Sequence, residues 1–168
     1  MTSAELLGDA FGRISGLVHG AVEGLSPEEL SFRVDDGANP IGWLAWHLAR
    51  VQDAQIAPLA GTEEVWTSAG WAERFGLSLP VSDTGYGHRP DQVAAVTADA
   101  ASLLGYYDAV EQVTLRYVRE LSDGDLDRVV DERWDPPVTL GIRLVSVIDD
   151  DVAHAAQAAY IRGIIERR

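Results

Sequence analysis

The chain has 168 residues, 27 of them acidic and 13 basic, which gives a formal net charge of −14; 46% are hydrophobic and 24% charged. This suits one globular domain long enough to bury a core, and it disfavours nucleic-acid binding, because no Lys/Arg stripe interrupts the acid. Cysteine is absent, which excludes disulfides, thiolate metal ligands and a thiol nucleophile of the protein's own.

The opening stretch, MTSAELLGDAFGRI, carries acids early and lacks a basic segment followed by an apolar one. No secretory signal is expected. No apolar run reaches the ~18–20 residues that span a bilayer, so the expectation is a cytoplasmic protein without membrane contact. The first helix is predicted from about Ser3 to Val22, with Ser3 as N-cap. Leu6, Leu7, Phe11, Ile14, Leu17, Val18 and Val22 recur there at three-to-four spacing. GLSPEEL, residues 24–30, reads as a turn and a short helix capped by Ser26, with Pro27 at the first helical position.

The second long helix begins in NPIGWLAWHLARVQ, with Asn39 as cap and Pro40 as first helical residue. Ile41, Leu44, Leu48, Val51 and Gln55 trace one face, and Pro58 ends or kinks it near Leu59. Residues 61–97 are rich in Gly, Ser, Thr, Asp and Pro. They read as a crossover with a short helix around Trp71, covering the end of a bundle where a site lies. Within it, DTGYGHRP places Tyr86 and His88 beside Gly85 and Gly87, in a plain turn or a lid. The third long helix covers about Ala98 to Leu121 and stops at SDGD, where Gly124 is the natural breaker. The fourth starts at Thr139 after WDPPV and runs to the C-terminus, with Leu140, Leu144, Ile148, Val152, Ala155 and Ala159 as its stripe. Tryptophans 43, 46, 66, 71 and 134 either fill the bundle and its loops or line a pocket. The fold class is all-α: a single domain over 1–168, built as a four-helix bundle.

The fourth helix poses the chemical question. Asp149, Asp150 and Asp151 lie in its middle, with His154 behind them. At about 100° per residue, Asp149 points to solvent, while Asp150 and His154 share the opposite flank. Asp151 falls inside the apolar arc near Leu144, Val147 and Ala155. A buried carboxylate costs several kcal/mol unless paired, hydrogen-bonded or metal-bound. Arg50 and Arg162 are candidate partners for Asp151. Asp150 and His154 at i and i+4 can converge on one cation, and His47, at the border of the buried face of helix two, is the best third ligand. His19 and His88 are the other histidines. Three His/Asp ligands leave a position open for water or substrate, as catalytic sites do, and suit Zn²⁺, Ni²⁺, Fe²⁺ or Mn²⁺. A helix salt bridge between Asp150 and His154 and a satisfied border His47 are the plain alternatives.

These residues resemble those of the DinB-like four-helix bundles, which include the mycothiol-dependent maleylpyruvate isomerase and the bacillithiol-transferase relatives. Their last helix carries HxxxHxGQ, and the corresponding stretch here is DDVAHAAQAAYIRG. Asp150 stands at the first His position, His154 at the second and Gln157 at the Gln, with Ala156 in place of the Gly. IGWLAWHL is similar to the helix-two motif and supplies His47. The resemblance implies an up-up-down-down bundle, a homodimer, and a divalent metal, zinc or nickel foremost, at His47, Asp150 and His154. It also implies chemistry on a small-molecule substrate with a low-molecular-weight thiol such as mycothiol. The exchange of His for Asp makes the set two imidazoles and one carboxylate, with either Asp150 or Asp151 as the acid. Arg50 is expected to bind a substrate carboxylate or orient Asp150, with Asp151 and Gln157 supporting the site. The expected function is thiol transfer or thiol-dependent isomerisation. A metal-dependent hydrolase, or a non-catalytic stress-response or binding module with a vestigial site, is the alternative.

Overall fold

A computed structural model describes residues 1–168. The elements are α1 (Ser3–Val22), α2 (Pro27–Leu30), α3 (Ile41–Ala60), α4 (Val65–Ser68), α5 (Trp71–Phe75), α6 (Pro90–Ala95), α7 (Ala100–Arg119), a 3₁₀ turn (Asp123–Asp127), β1 (Val129–Asp131), β2 (Val138–Thr139) and α8 (Leu140–Ile165). The long helices α1, α3, α7 and α8 form the bundle. α1 and α3 each pack against both α7 and α8. Their directions follow from which residues meet. His19 of α1 bonds Asp108 of α7 and the Ser3 N–H donates to Asp123 beyond the end of α7, and Arg162 near the end of α8 donates to the Glu23 carbonyl just beyond the end of α1. Gln55, late in α3, accepts from Arg143, early in α8. The C-terminal ends of α1 and α8 therefore meet: α7 runs against α1, while α8 runs alongside α1 and against α3. The topology is up-down-down-up, not the up-up-down-down order that the resemblance implies, because α8 returns parallel to α1; the fold is all-α, with only a two-stranded antiparallel ribbon besides.

Local chemistry sets the helix ends, with two corrections to the sequence reading. Thr2, not Ser3, caps α1: its hydroxyl accepts from Glu5 N–H while the Glu5 carboxylate takes the Thr2 N–H. Pro40, not Asn39, is the cap of α3, extended at φ −76°, ψ 163°. Pro58 does not end α3. The helix closes three residues on at Gly61, which adopts the left-handed φ of 68° that a side chain resists. Thr139 caps α8, and Asp99 caps α7. The β1–β2 ribbon around WDPPV was not foreseen; its strands have three and two residues, too short for period-two alternation to register.

The crossover is longer on structure than expected. Besides α5 at Trp71, it forms α4 and α6, and it is riveted to α3. Asp53 of α3 accepts the Val65 and Trp66 N–H groups that open α4, at 2.9 and 2.8 Å. Trp71 turns the edge of its ring toward Gly105 of α7, where an added Cβ would come within 2.7 Å of Cη2. Wrapped in this way, α3 is buried on every side from Ile41 to Arg50, and its sequence is accordingly apolar nearly all round.

The buried line of α8 also departs from expectation. It runs Leu144, Val147, Asp151, Ala155, Ala158, Ile161, whereas Val152 and Ala159 face outward. The helix is rotated from the predicted axis, and Asp151 sits in the middle of the packed face.

Candidate metal centre

The antiparallel contact of α3 with α8 brings together His47, Asp150 and His154. One ligand atom from each lies within 4.8 Å of the other two. The imidazoles meet edge to face, with centroids 4.8 Å apart. His47 is buried, and its Nδ1 bonds the Thr84 carbonyl of the crossover. That leaves Nε2 as the free lone pair, provided Nδ1 carries the proton. His154 repeats the arrangement with Nδ1 3.3 Å from Gln157 Oε1 and Nε2 3.6 Å from Asp150 Oδ1. Asp150 Oδ2 is buried without a hydrogen-bond partner.

The electrostatics suit a cation. Burial holds the His47 pKa below its ordinary value, against the pull of the Thr84 carbonyl, so this imidazole is neutral and able to ligate. His154 is raised, chiefly by its hydrogen bond to Asp150. Burial opposes the Asp150 carboxylate, yet the bond to His154 keeps its pKa lowered. Two imidazoles and a carboxylate with an orphaned buried oxygen make a donor set that fits a divalent transition metal, and each imidazole's second nitrogen is already oriented by an oxygen.

A sequence profile of the DinB superfamily matches residues 11–158. The chain belongs to the DinB superfamily. A solved structure, described as the conserved protein of a locus from Enterococcus faecalis, matches at 31% identity and a TM-score of 0.92, over 100% of this chain and 99% of that one. No curated protein matches. No helix of this DinB-superfamily chain is long and apolar enough to cross a membrane.

The remaining singled-out residues fall into place around this centre. Gln157 supports His154, as above. Asp149 is exposed. Asp151 lies beside Asp150 in sequence but turns into the core at 0% exposure, and neither of its oxygens has a partner. Of the two acids, Asp150 therefore joins the cluster. Neither arginine pairs with Asp151. Arg162 bonds Glu166 and the Glu23 carbonyl. Arg50 is fully buried, 3.6 Å from Asp53 and 2.9 Å from Glu64, and it donates to Tyr106 and to the Asp83 carbonyl. It neither faces a substrate nor orients Asp150. It acts one step away, holding the Asp83 end of the turn whose next carbonyl, Thr84, orients His47. The other two histidines pair with acids: His19 with Asp108 and His88 with Asp83, at 2.7 and 3.0 Å.

The Asp83–His88 turn was legible only as a glycine-flanked loop. It is a packed wall of the site. Trp43 stacks on His47 at 4.5 Å and donates its Nε1–H to His88 Nδ1. His88 therefore carries its proton on Nε2 and donates to Asp83. Trp43, Trp46 and Trp66 are core residues, and Trp134 is 64% exposed, so most of the tryptophans fill and one lines a surface cleft. Gly85 has φ 91°, and a Cβ there would lie 2.7 Å from His47 Nδ1 and 3.0 Å from Trp43. Gly85→Ala should therefore push the Thr84 carbonyl off His47 and weaken zinc binding by about 10–100-fold, the usual penalty for losing a ligand's orienting partner. Calorimetric titration checks this; unchanged zinc affinity would show that the turn does not position the ligand.

Proposed function

We propose that this protein is a metal-dependent enzyme acting on a low-molecular-weight thiol, by thiol transfer or thiol-dependent isomerisation. The observation that carries the reading is the convergence of His47, Asp150 and His154 beside an open cleft of about 550 Å³ that Asp150 itself lines. A divalent ion bound there would lower the pKa of a thiol or water in its open position. The chain's own residues set the conditions. Neutral His47 and the Asp150 carboxylate would hold the ion without a proton to clear, and His154, whose pKa its bond to Asp150 raises, would do so as the free base. Trp43 and the Asp83–His88 turn keep water from the His47 side. With no cysteine in the chain, a small molecule has to bring the thiol, and a reducing cytoplasm is the compartment that holds one.

Cobalt-loaded protein titrated with 2-mercaptoethanol tests this directly. A thiolate-to-cobalt charge-transfer band should appear, and His47→Ala should lack it. Full cobalt loading without such a band would overturn the thiol reading and leave hydrolysis by a metal-activated water, or a vestigial site, in its place.

A further inference from the structure

Two columns of side chains face each other across the antiparallel α3–α8 contact. On α3, His47, Val51 and Gln55 recur every four residues. On α8, Arg143, Val147 and Asp150 lie on one face, with Arg143 and Asp150 about 10 Å apart along the axis. Arg143 meets Gln55 at one end and His47 meets the Asp150–His154 pair at the other, with the two valines between them. Val51, Gln55, Arg143, Val147 and Asp150 all line the cleft of about 550 Å³. It thus has a polar end, an apolar middle and the candidate metal centre at its far end.

The polar end is positive in a chain of net charge −14. Asp131 of β1 accepts Arg133 Nε and Nη2 at 2.9 and 2.8 Å, and Arg143 Nη2 at 3.0 Å. It also accepts the Arg133 backbone N–H at 3.0 Å. Two guanidiniums thus share one carboxylate, whose acceptor sites are filled and whose pKa the Arg133 bond holds far below the usual range. The trio retains one positive charge. Arg133 is 85% exposed along the cleft, and its fork is fixed by Asp131, leaving Nη1 free to donate. With its Nε/Nη2 edge taken by Asp131, the guanidinium is held in place and can meet a ligand carboxylate end-on, through Nη1–H and the second Nη2–H. Trp134 and Tyr86, 64% and 93% exposed, complete the rim with aromatic faces.

We infer that the cleft binds a small carboxylate-bearing molecule with an apolar body. Its carboxylate sits on Arg133 and Arg143, its body lies against Val51, Val138 and Val147, and its far end reaches Asp150. Which end reacts rests on the metal-site reading; the carboxylate subsite does not.

The test uses 4-fluorophenylacetate and its uncharged amide, 4-fluorophenylacetamide, as ¹⁹F NMR probes of the full chain with and without zinc. The acid should bind about tenfold or more tightly than the amide, the worth of one charge-assisted contact. Arg133→Gln should remove that preference while leaving zinc affinity unchanged. The exposure of Arg133 makes this variant safe for folding, and its melting curve serves as the control. Acid and amide binding alike, or an Arg133→Gln variant with the preference intact, overturns the subsite. So does acid binding that vanishes on zinc removal, because the carboxylate would then be on the metal. Failure of zinc binding itself, with the Arg133-dependent preference retained, sinks the metal reading and leaves the subsite standing.

Discussion

Zinc at a hundredfold excess over its dissociation constant should raise the melting temperature of chelator-stripped protein by about 5–10 °C. A ligand that binds only the native state adds about 2.7 kcal/mol at that excess, and each kcal/mol shifts a domain of this size by about 2–4 °C. His47 is the variant to compare, because it comes from α3 while Asp150 and His154 come from α8. Without it, the remaining pair sits on one helix and makes only a helix salt bridge. His47→Ala should abolish both the thermal shift and the one-equivalent uptake measured by elemental analysis. The pH dependence has a definite sign. The bond to Asp150 raises the His154 pKa, so protons compete with zinc for this imidazole and affinity should fall as pH drops. Equal shifts in wild type and His47→Ala, or none in either after verified stripping, would refute a metal centre at these residues.

Asp151→Asn should make the protein more stable near neutral pH, by about 1–3 kcal/mol, the range for relieving a buried group left without partners. Burial first, and the neighbouring Asp150 charge second, raise the Asp151 pKa well above the carboxylate norm. An acid whose native pKa lies above its unfolded value, about 3.9, lends full stability below that value and loses it as pH rises toward the native pKa. Asparagine has no proton to lose. The stability difference between variant and wild type, measured by denaturant unfolding in chelator, should be small near pH ~4 and widen steadily above it. Parallel pH profiles would show that Asp151 is not held protonated in the fold. Zinc uptake should survive the substitution, since the Asp151 carboxyl points into the core and away from His47.

Asp151 also marks where sequence reasoning stops. Its position within the apolar arc of α8 was legible from the 100° turn per residue, and so was the pairing of Asp150 with His154, because both depend on one helix alone. Its supposed arginine partners were not. Arg50 spends its donors on Asp53, three residues along its own helix, and on Asp83, Tyr106 and Glu64, which lie in separate segments that no local pattern relates to α3. The Thr84 carbonyl and Gly85 were equally invisible as parts of the site. A carbonyl carries no side-chain signature, and a glycine-flanked turn looks the same whether it packs on a histidine or hangs in solvent. Nothing in the sequence singles out Arg133 and Arg143, because the ribbon that gathers them around Asp131 is too short to leave a pattern.

By itself, the sequence determined the four long helices, the short helix at Trp71, the absence of any thiol in the protein, and the flank shared by Asp150 and His154. These rest on periodicity and residue chemistry, which act within one element. Only the tertiary structure decided that His47 meets that flank, that the crossover wraps α3 and orients its imidazole, and that two arginines close the far end of the same cleft. Those are matters of register between helices, fixed by how a whole core packs, and register leaves no trace in the spacing of any one segment.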